Sequence, residues 1–287
     1  MADNLECRRT SILKARGGNK RLSIILITWN QCETTRDCLN TLVPAVDPNR
    51  DEIIVIDNGS IDETAEIIPA EFPSVLYCRV PRNLGVGPAR NRGLGWSSGR
   101  YVMVLDNDTL VPSGVSLGQI VEEVFERHGD VGLFGFGLLN PDGTHQRSAR
   151  RFPTLLHPVA SRIPGATIIP FFKRLMDEHL MEDVNFQTVE ELKEVDFVLG
   201  ANQIFRREIL AQVGAYDPSI FYGGEDFDLC YRIRRAGWRI AWCPKIRIVH
   251  VHRRITRKLS KTTFRFIYAY ICIFAKYRSI WRLPHAG

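Results

Sequence analysis

Two groups of carboxylates, more than a hundred residues apart, carry the most chemistry in this 287-residue chain. The first is Asp106-Asn107-Asp108, which follows the apolar run Tyr101 to Leu105. Two acids one residue apart at a strand end can face a divalent cation and the diphosphate it carries. Mg²⁺ and Mn²⁺ are hard ions that take oxygen ligands, usually one or two carboxylates plus phosphate oxygens. A polar turn uses the same residue types, so the triplet needs support from the rest of the chain. The second group is Glu225-Asp226, after Tyr222-Gly223-Gly224 and at the start of a helical pattern, with Asp228 as a third acid. The helix dipole favours acids there. The glycines and aromatics before the pair also suit a pocket lip, where one carboxylate could act as general base toward a hydroxyl.

Three further clusters accompany them. Asp57-Asn58-Gly59-Ser60 ends a strand pattern, and Asp57 can accept a hydrogen bond from a ribose hydroxyl or a base N–H. Asn83-Leu84-Gly85-Val86-Gly87 contains glycines that permit close backbone approach. Arg90 falls one turn into the next helix, where a guanidinium could reach a phosphate. His250-Val251-His252 follows Ile246 to Val249, and alternation puts both imidazoles on one strand face, open to a metal or a phosphate. A dinucleotide fingerprint, a phosphate loop with its lysine, a cysteine nucleophile and a nucleic-acid motif all lack support here.

The elements that must position these residues alternate. Leu22 to Thr28, Glu52 to Asp57, Val75 to Val80 and Tyr101 to Leu105 read as strands, and their near-continuous apolar runs imply burial on both faces of a parallel sheet. Thr34 to Val43, Ser60 to Ala70 and Gly87 to Ser98 read as helices, the second opening with a Ser60/Glu63 capping box. The result is an α/β domain with right-handed crossovers. Ligands of such sheets bind beyond the carboxyl ends of the strands. Thr28-Trp29-Asn30, Asp57 and Asp106 to Asp108 all fall there. Val131 to Leu139 is a further strand. A proline-containing stretch from about 140 to 194 reads as loops and short helices. Beyond it, Arg206 to Val213 and Glu225 to Ala236 read as helices, the latter ended by Gly237, and Trp238 to Trp242 as a short strand.

The bulk composition is that of a globular chain, with 45% hydrophobic and 24% charged residues and a net charge of +6. Basic residues concentrate in the C-terminal part, most densely at Arg253-Arg254, Arg257-Lys258 and Lys261, which suits an anionic partner such as phosphate or an acidic membrane face. Seven scattered cysteines without metal-type spacing fit a reducing cytoplasm. The first ~20 residues read as a loose polar tail without a secretory core. No segment has the roughly 18–20 apolar residues of a membrane span. Phe264 to Trp281 is aromatic with basic edges, and suits either the bilayer interface or packing on the domain.

The ordered series Ile24 to Asn30, Ile54 to Asp62, Asn83 to Gly93, Tyr101 to Asp108, Gly200 to Asn202, Gly214 to Asp217, Gly223 to Arg232 and His250 resembles the family 2 glycosyltransferases of GT-A fold, in particular their rhamnosyltransferase-like branch that builds bacterial surface polysaccharides. The resemblance implies a GT-A domain over residues 21–255, with a nucleotide-sugar half to about 110 and an acceptor half after it. Residues 1–20 are then a tail, and 256–287 a basic aromatic helical extension. It implies an inverting transfer from a nucleoside diphosphate sugar, with dTDP-rhamnose as one donor, to a glycan or lipid-linked acceptor. Thr28, Asn30, Asp57 and Arg90 look like nucleotide-contacting positions, with Asn83, Gly85, Asp106 and Asn107 counted beside them. Asp106 and Asp108 look like the metal-binding Asp-x-Asp motif for Mg²⁺ or Mn²⁺. His250, better matched than His252, looks like a further metal or diphosphate ligand. Asp226 looks like the base, with Glu225 holding the acceptor. The implied setting is cytoplasmic, at the inner face of the membrane, with no nucleic acid partner. The rival readings are a nucleotidyltransferase, which normally has a Gly-rich basic loop where Thr28-Trp29-Asn30-Gln31 stands, and an inactive glycan-binding module.

Overall fold

A computed structural model describes residues 6–8, 20–163, 165–251 and 261–278. The first half runs β1 (Glu6–Arg8), β2 (Leu22–Thr28), α1 (Cys32–Leu42), β3 (Asp51–Asp57), α2 (Thr64–Glu71), β4 (Leu76–Arg79), α3 (Val86–Trp96) and β5 (Tyr101–Asp106). The second half continues with β6 (Thr109–Leu110), α4 (Leu117–Arg127), β7 (Val131–Leu139), β8 (His145–Gln146), β9 (Ala149–Arg150), α5 (His157–Arg162) and α6 (Pro170–His179). It then adds β10 (Lys193–Glu194), β11 (Phe197–Val198), β12 (Asn202–Arg206), α7 (Ile209–Val213), α8 (Glu225–Arg235), β13 (Arg239–His250) and α9 (Lys261–Lys276).

One large sheet runs β1-β4-β3-β2-β5-β12-β7-β13-β10. From β4 to β5 the strands are parallel, as their unbroken apolar runs require. Leu22, Ile24 and Leu26 of β2 pack with α1, α2 and α4 on one face, while Ile25 packs with α3 on the other. Gly93 lets α3 approach that second face, because a Cβ there would lie 2.3 Å from a methyl of Ile25. The second half is mixed: β12 is antiparallel to both β5 and β7, whereas β13 is parallel to β7.

Several sequence expectations need correction. The helix expected from Ser60 starts at Thr64 and has no side-chain cap bond, so the Ser60/Glu63 capping box does not form. Asp57 Oδ1 instead accepts the Ser60 N–H, and the Ser60 hydroxyl accepts the Asn30 N–H, which ties two strand ends together before the helix begins. The helix expected from Arg206 starts at Ile209, because Arg206 closes β12, a strand absent from the sequence reading. The short strand at Trp238 and the apolar run at Ile246 are one strand, β13, with an irregularity between Cys243 and Arg247. α4 was also unread.

The C-terminal segment packs on the domain through one face. Tyr270, Ile273 and Phe274 of α9 are buried, against Phe227 among others. Burying a side chain of this size contributes about 1.5–3 kcal/mol. The buried Asp228 carboxylate fixes the end of the helix, accepting from Lys276 Nζ at 2.9 Å and the Tyr277 hydroxyl at 2.6 Å. The other face leaves Phe264, Tyr268 and Ile271 exposed. Among the described residues no helix is long and apolar enough to cross a membrane. His252, Trp281, the basic run Arg253 to Lys258 and most of the N-terminal tail lie outside the described residues.

Candidate functional site

The strand register brings the sequence candidates to one edge. Thr28 pairs with Asp57 and Ile27 with Asp106, so the ends of β3, β2 and β5 stand side by side. After Asp106 the chain turns through Asn107 and Asp108 into β6. There Thr109 pairs with His250 and Leu110 with Val249. This short pairing delivers the last residue of β13 to the acids: His250 Nε2 lies 3.1 Å from Asp108 Oδ1 and 4.0 Å from Asp106 Oδ2. One ligand atom from each of Asp106, Asp108 and His250 falls within a mutual 4.8 Å. Two carboxylate oxygens and an imidazole nitrogen are donors that suit Mg²⁺ or Mn²⁺, so the residues present fit such an ion.

The ring of His250 is oriented from behind. Its Nδ1 is 2.7 Å from the Gln146 amide oxygen on β8. An Nδ1–H donating to Gln146 would leave Nε2 facing Asp106 and Asp108. Burial opposes the charged ring, but the hydrogen bond to Asp108 and the charges of Asp106 and Asp108 outweigh it and hold the His250 pKa above its ordinary value. The Asp106 carboxyl is also shifted upward, by enclosure first and with Asp108 adding to it, while Arg90 pulls the other way.

Arg90 joins the two acid groups. Its side chain is 3% exposed, with Nη2 3.2 Å from Asp106 Oδ1 and Nη1 3.2 Å from Glu225 Oε1. It also donates to the Gly200 carbonyl at 2.9 Å. Gly224, at φ +96°, turns the chain into α8 and sets Glu225 and Asp226 at its first turn. Gly200 N donates to Asp226 Oδ2 at 3.1 Å and Phe227 N to Asp226 Oδ1 at 2.9 Å, which fixes the orientation of that carboxylate. Glu225 is buried, and its carboxyl is pushed up to about 7 by burial and then by the charge of Asp226, with Arg90 opposing. Glu225 Oε2 and Arg90 Nε are buried without hydrogen-bond partners, so polar capacity remains between the two acid groups.

The remaining candidates fall into two kinds. Asp57 is fully buried and committed inside the fold: besides Ser60 it accepts from the Tyr77 hydroxyl, and Arg79 Nε lies at 3.5 Å. Thr28 is equally buried and accepts from the Thr35 hydroxyl at 2.7 Å. Asn107 donates to Thr35 at 2.8 Å and to Gln31 at 3.1 Å, which locks the turn of the acidic triplet. Asn83 accepts from Asn58 and from Gly85 N, and a Cβ on Gly85 would lie 2.6 Å from the Phe221 carbonyl. Asn30, in contrast, is exposed at φ +53° beside Trp29, a residue 50% exposed on the same edge. Asp228, the third acid of α8, belongs to the docking of α9. The sequence reading gave no role to Gln146 or Trp29. Gln146 lies outside every motif, and its signal is positional, through the β7–β8 hairpin.

A sheet with a carboxylate pair at a strand end, a histidine returned to it by the last strand and a second acid pair across the cleft defines the GT-A class of sugar-transferring folds. The crystal structure of GalNAc-T7 with UDP, GalNAc and Mn²⁺ is similar to this fold, with TM-score 0.65 and 19% identity, covering 90% of this chain and 48% of that one. A mannosyltransferase from Pyrobaculum calidifontis in complex with GDP-Man and Mn²⁺ has TM-score 0.56 and 16% identity, over 89% of this chain and 70% of that one. The profile of glycosyl transferase family 2 matches residues 23–214, and the chain belongs to that family. It is a glycosyltransferase. An N-acetylglucosaminyl-diphospho-decaprenol L-rhamnosyltransferase of Mycobacterium tuberculosis is 26% identical over 245 residues, 81% of this chain and 77% of the relative. A poly-beta-1,6-N-acetyl-D-glucosamine synthase of Staphylococcus aureus is 26% identical over 225 residues, and the chain spans 48% of its length.

Proposed function

We propose that this glycosyltransferase moves a sugar, with dTDP-rhamnose as the leading donor, from a nucleoside diphosphate to a hydroxyl of a glycan or lipid-linked acceptor during surface polysaccharide synthesis, with inversion at the anomeric carbon. One observation carries the reading: Arg90 spans from Asp106, beside Asp108 and His250, to Glu225, beside Asp226. That spacing supports a donor diphosphate on one side and an acceptor hydroxyl on the other. The name of the rhamnosyltransferase relative supports a rhamnosyl donor and a lipid-linked acceptor.

In this mechanism Asp226 removes the acceptor hydroxyl proton while that oxygen attacks the anomeric carbon. The bond from that carbon to the diphosphate oxygen breaks in the same displacement. Glu225 orients the acceptor, and Arg90 holds Glu225 and Asp106 in mutual register. Asp106, Asp108 and His250 would hold Mg²⁺ or Mn²⁺, which supplies positive charge to the leaving diphosphate. The exposed Trp29 offers an aromatic face to the nucleobase, with Asn30 beside it. Thr28, Asp57, Asn83, Gly85 and Asn107 shape the nucleotide side from within. On this reading residues 21–110 bind the donor and 111–255 the acceptor, with 256–287 as an extension.

The same reading assigns α9 to an anionic membrane surface on the cytoplasmic side. Phe264, Tyr268 and Ile271 form an exposed stripe on α9, and Ile163, Ile168, Ile169 and Phe171 are exposed around α5 and α6, with α5 packed on α9. An aromatic helix face with basic neighbours is suited to an interface. The test is transfer from dTDP-rhamnose and other nucleoside diphosphate sugars to lipid-linked acceptors with Mn²⁺, with product configuration read by NMR. Retention of configuration, or hydrolysis of the donor without transfer to any acceptor, would overturn the proposal.

A further inference from the structure

A cavity lies at the opposite ends of the strands from the acid groups. It measures about 510 Å³ and is lined by Lys20, Arg21, Arg50, Arg100, Arg206 and Arg207. The sheet register explains how residues so far apart in sequence meet. Leu22 pairs with Asp51 and with Tyr101, and Tyr101 pairs with Arg206. The basic residues flanking β3, β2, β5 and β12 are therefore brought to one edge. A strand of seven residues is about 23 Å long at ~3.3 Å per residue, so this edge is remote from Asp106.

Its charges are only partly balanced. Arg21 is paired with Asp51 at 2.8 Å, and Arg50 with Glu122 at 3.2 Å. Glu208 stands 4.0 Å from Arg206, whose N–H groups donate to the carbonyls of Val131, Phe125 and His128. Lys20 donates to the carbonyls of Pro48 and Asn49, and Arg207 to Gly99 O and the Ser97 hydroxyl. Such bonds satisfy N–H groups without neutralising the charge. Burial depresses the Arg207 pKa, against the pull of Glu52, so this guanidinium gains from a nearby anion. Arg100 forms no ion pair among the described residues and lies 5.2 Å over the Tyr101 ring. Tyr101 also lines the cavity, and its buried hydroxyl has no hydrogen-bond partner.

The geometry points to a second binding site here, for the phosphate of a small phosphate ester or diphosphate or of a lipid headgroup. Guanidinium forks match phosphate oxygens, and the volume is that of a small-molecule site. Carbonyl-bound arginines already held in place lose little freedom when the anion arrives. The site is independent of the donor reading, because it uses none of the same residues.

The test is calorimetric titration of the full chain with inorganic pyrophosphate in EDTA, which removes any cation from the acid edge. Wild type should bind, and Arg100→Glu should weaken binding about tenfold or more, as expected for losing a charge-assisted contact. Arg100→Gln replaces the reversal if Arg100→Glu does not fold. Vesicles of phosphatidylglycerol form the second arm. Loss of vesicle binding in the Arg100 variant identifies a headgroup as the source, and vesicle binding unaffected alongside lost pyrophosphate binding identifies a free phosphate. Equal pyrophosphate affinity in wild type and Arg100 variants, or no binding of wild type to either probe, overturns the site.

Discussion

The two acid groups of the cleft are held in opposite ways. Asp106 and Asp108 sit on a turn between strands, with the Asp106 side chain 40% exposed and a histidine drawn to them by strand pairing. Glu225 and Asp226 sit in the first turn of a helix, with Glu225 buried against Arg90 and Asp226 fixed by backbone N–H groups. Carboxylates crowded at a strand end resist full ionisation together, and a cation between them relieves that repulsion. A buried carboxyl shifted to about 7 beside a fixed carboxylate suits handling a hydroxyl and its proton. Charge density is built at the strand end and proton chemistry at the helix start.

The comparison can be broken most directly at Asp226. Asp226→Asn should lower kcat by ~10²–10⁴-fold, as for loss of a positioned base, with little change in donor KM. Near-normal turnover would remove the helix start from the chemistry. Next is the residue that joins the groups. Arg90→Met leaves Glu225 buried without its cation, and removing one partner of a buried pair costs about 3–5 kcal/mol, measurable by urea unfolding. A loss below ~1 kcal/mol would mean that the two groups are held independently.

The strand-end side is sharpened by Gln146→Leu. Removing the acceptor behind the histidine should weaken Mn²⁺ binding by ~10–100-fold in calorimetry, while folding is preserved. Unchanged affinity would show that His250 needs no support, or is not a ligand. The smallest effect is on pH. Because the folded carboxyl of Glu225 titrates near 7 and its ordinary value is 4.5, the metal-free native state holds a proton that the unfolded chain has released in between. Stability should therefore fall as pH rises from about 4.5 to about 7 and level off above that range. Glu225→Gln should flatten this part of the urea-unfolding profile, and a profile unchanged by the substitution would assign the slope to other groups.

The sequence was most legible where burial is apolar. β2, β3, β5 and β7 are runs of aliphatic residues buried on both faces, and their limits were readable to within a residue. β12 shows why the reading stopped there. Asn202, Gln203 and Arg206 are buried polar residues in a central strand, bonded to Phe136 O, Val198 O and Val131 O. Burial satisfied by hydrogen bonds leaves no hydrophobic period to detect. α4 did carry one, with Leu117, Val121, Val124 and Phe125 buried at helical spacing. At the site, the sequence marked Asp106, Asp108, Glu225, Asp226 and His250 as candidates, and the fold brings them around Arg90. Gln146 depends on a two-residue strand pairing, which leaves no pattern in the chain.

The dependence on β6 and β13 has a consequence for assembly. Asp106 and Asp108 are made earlier in synthesis than their imidazole partner, which enters through the final residue of β13, against Thr109. The cluster is therefore closed by a contact of very long sequence separation, the kind that forms late because its loop must first be closed. A chain halted before His250 would hold the acids but not the three-residue cluster. Completion of the cluster is thus a chemical report that the sheet has finished folding.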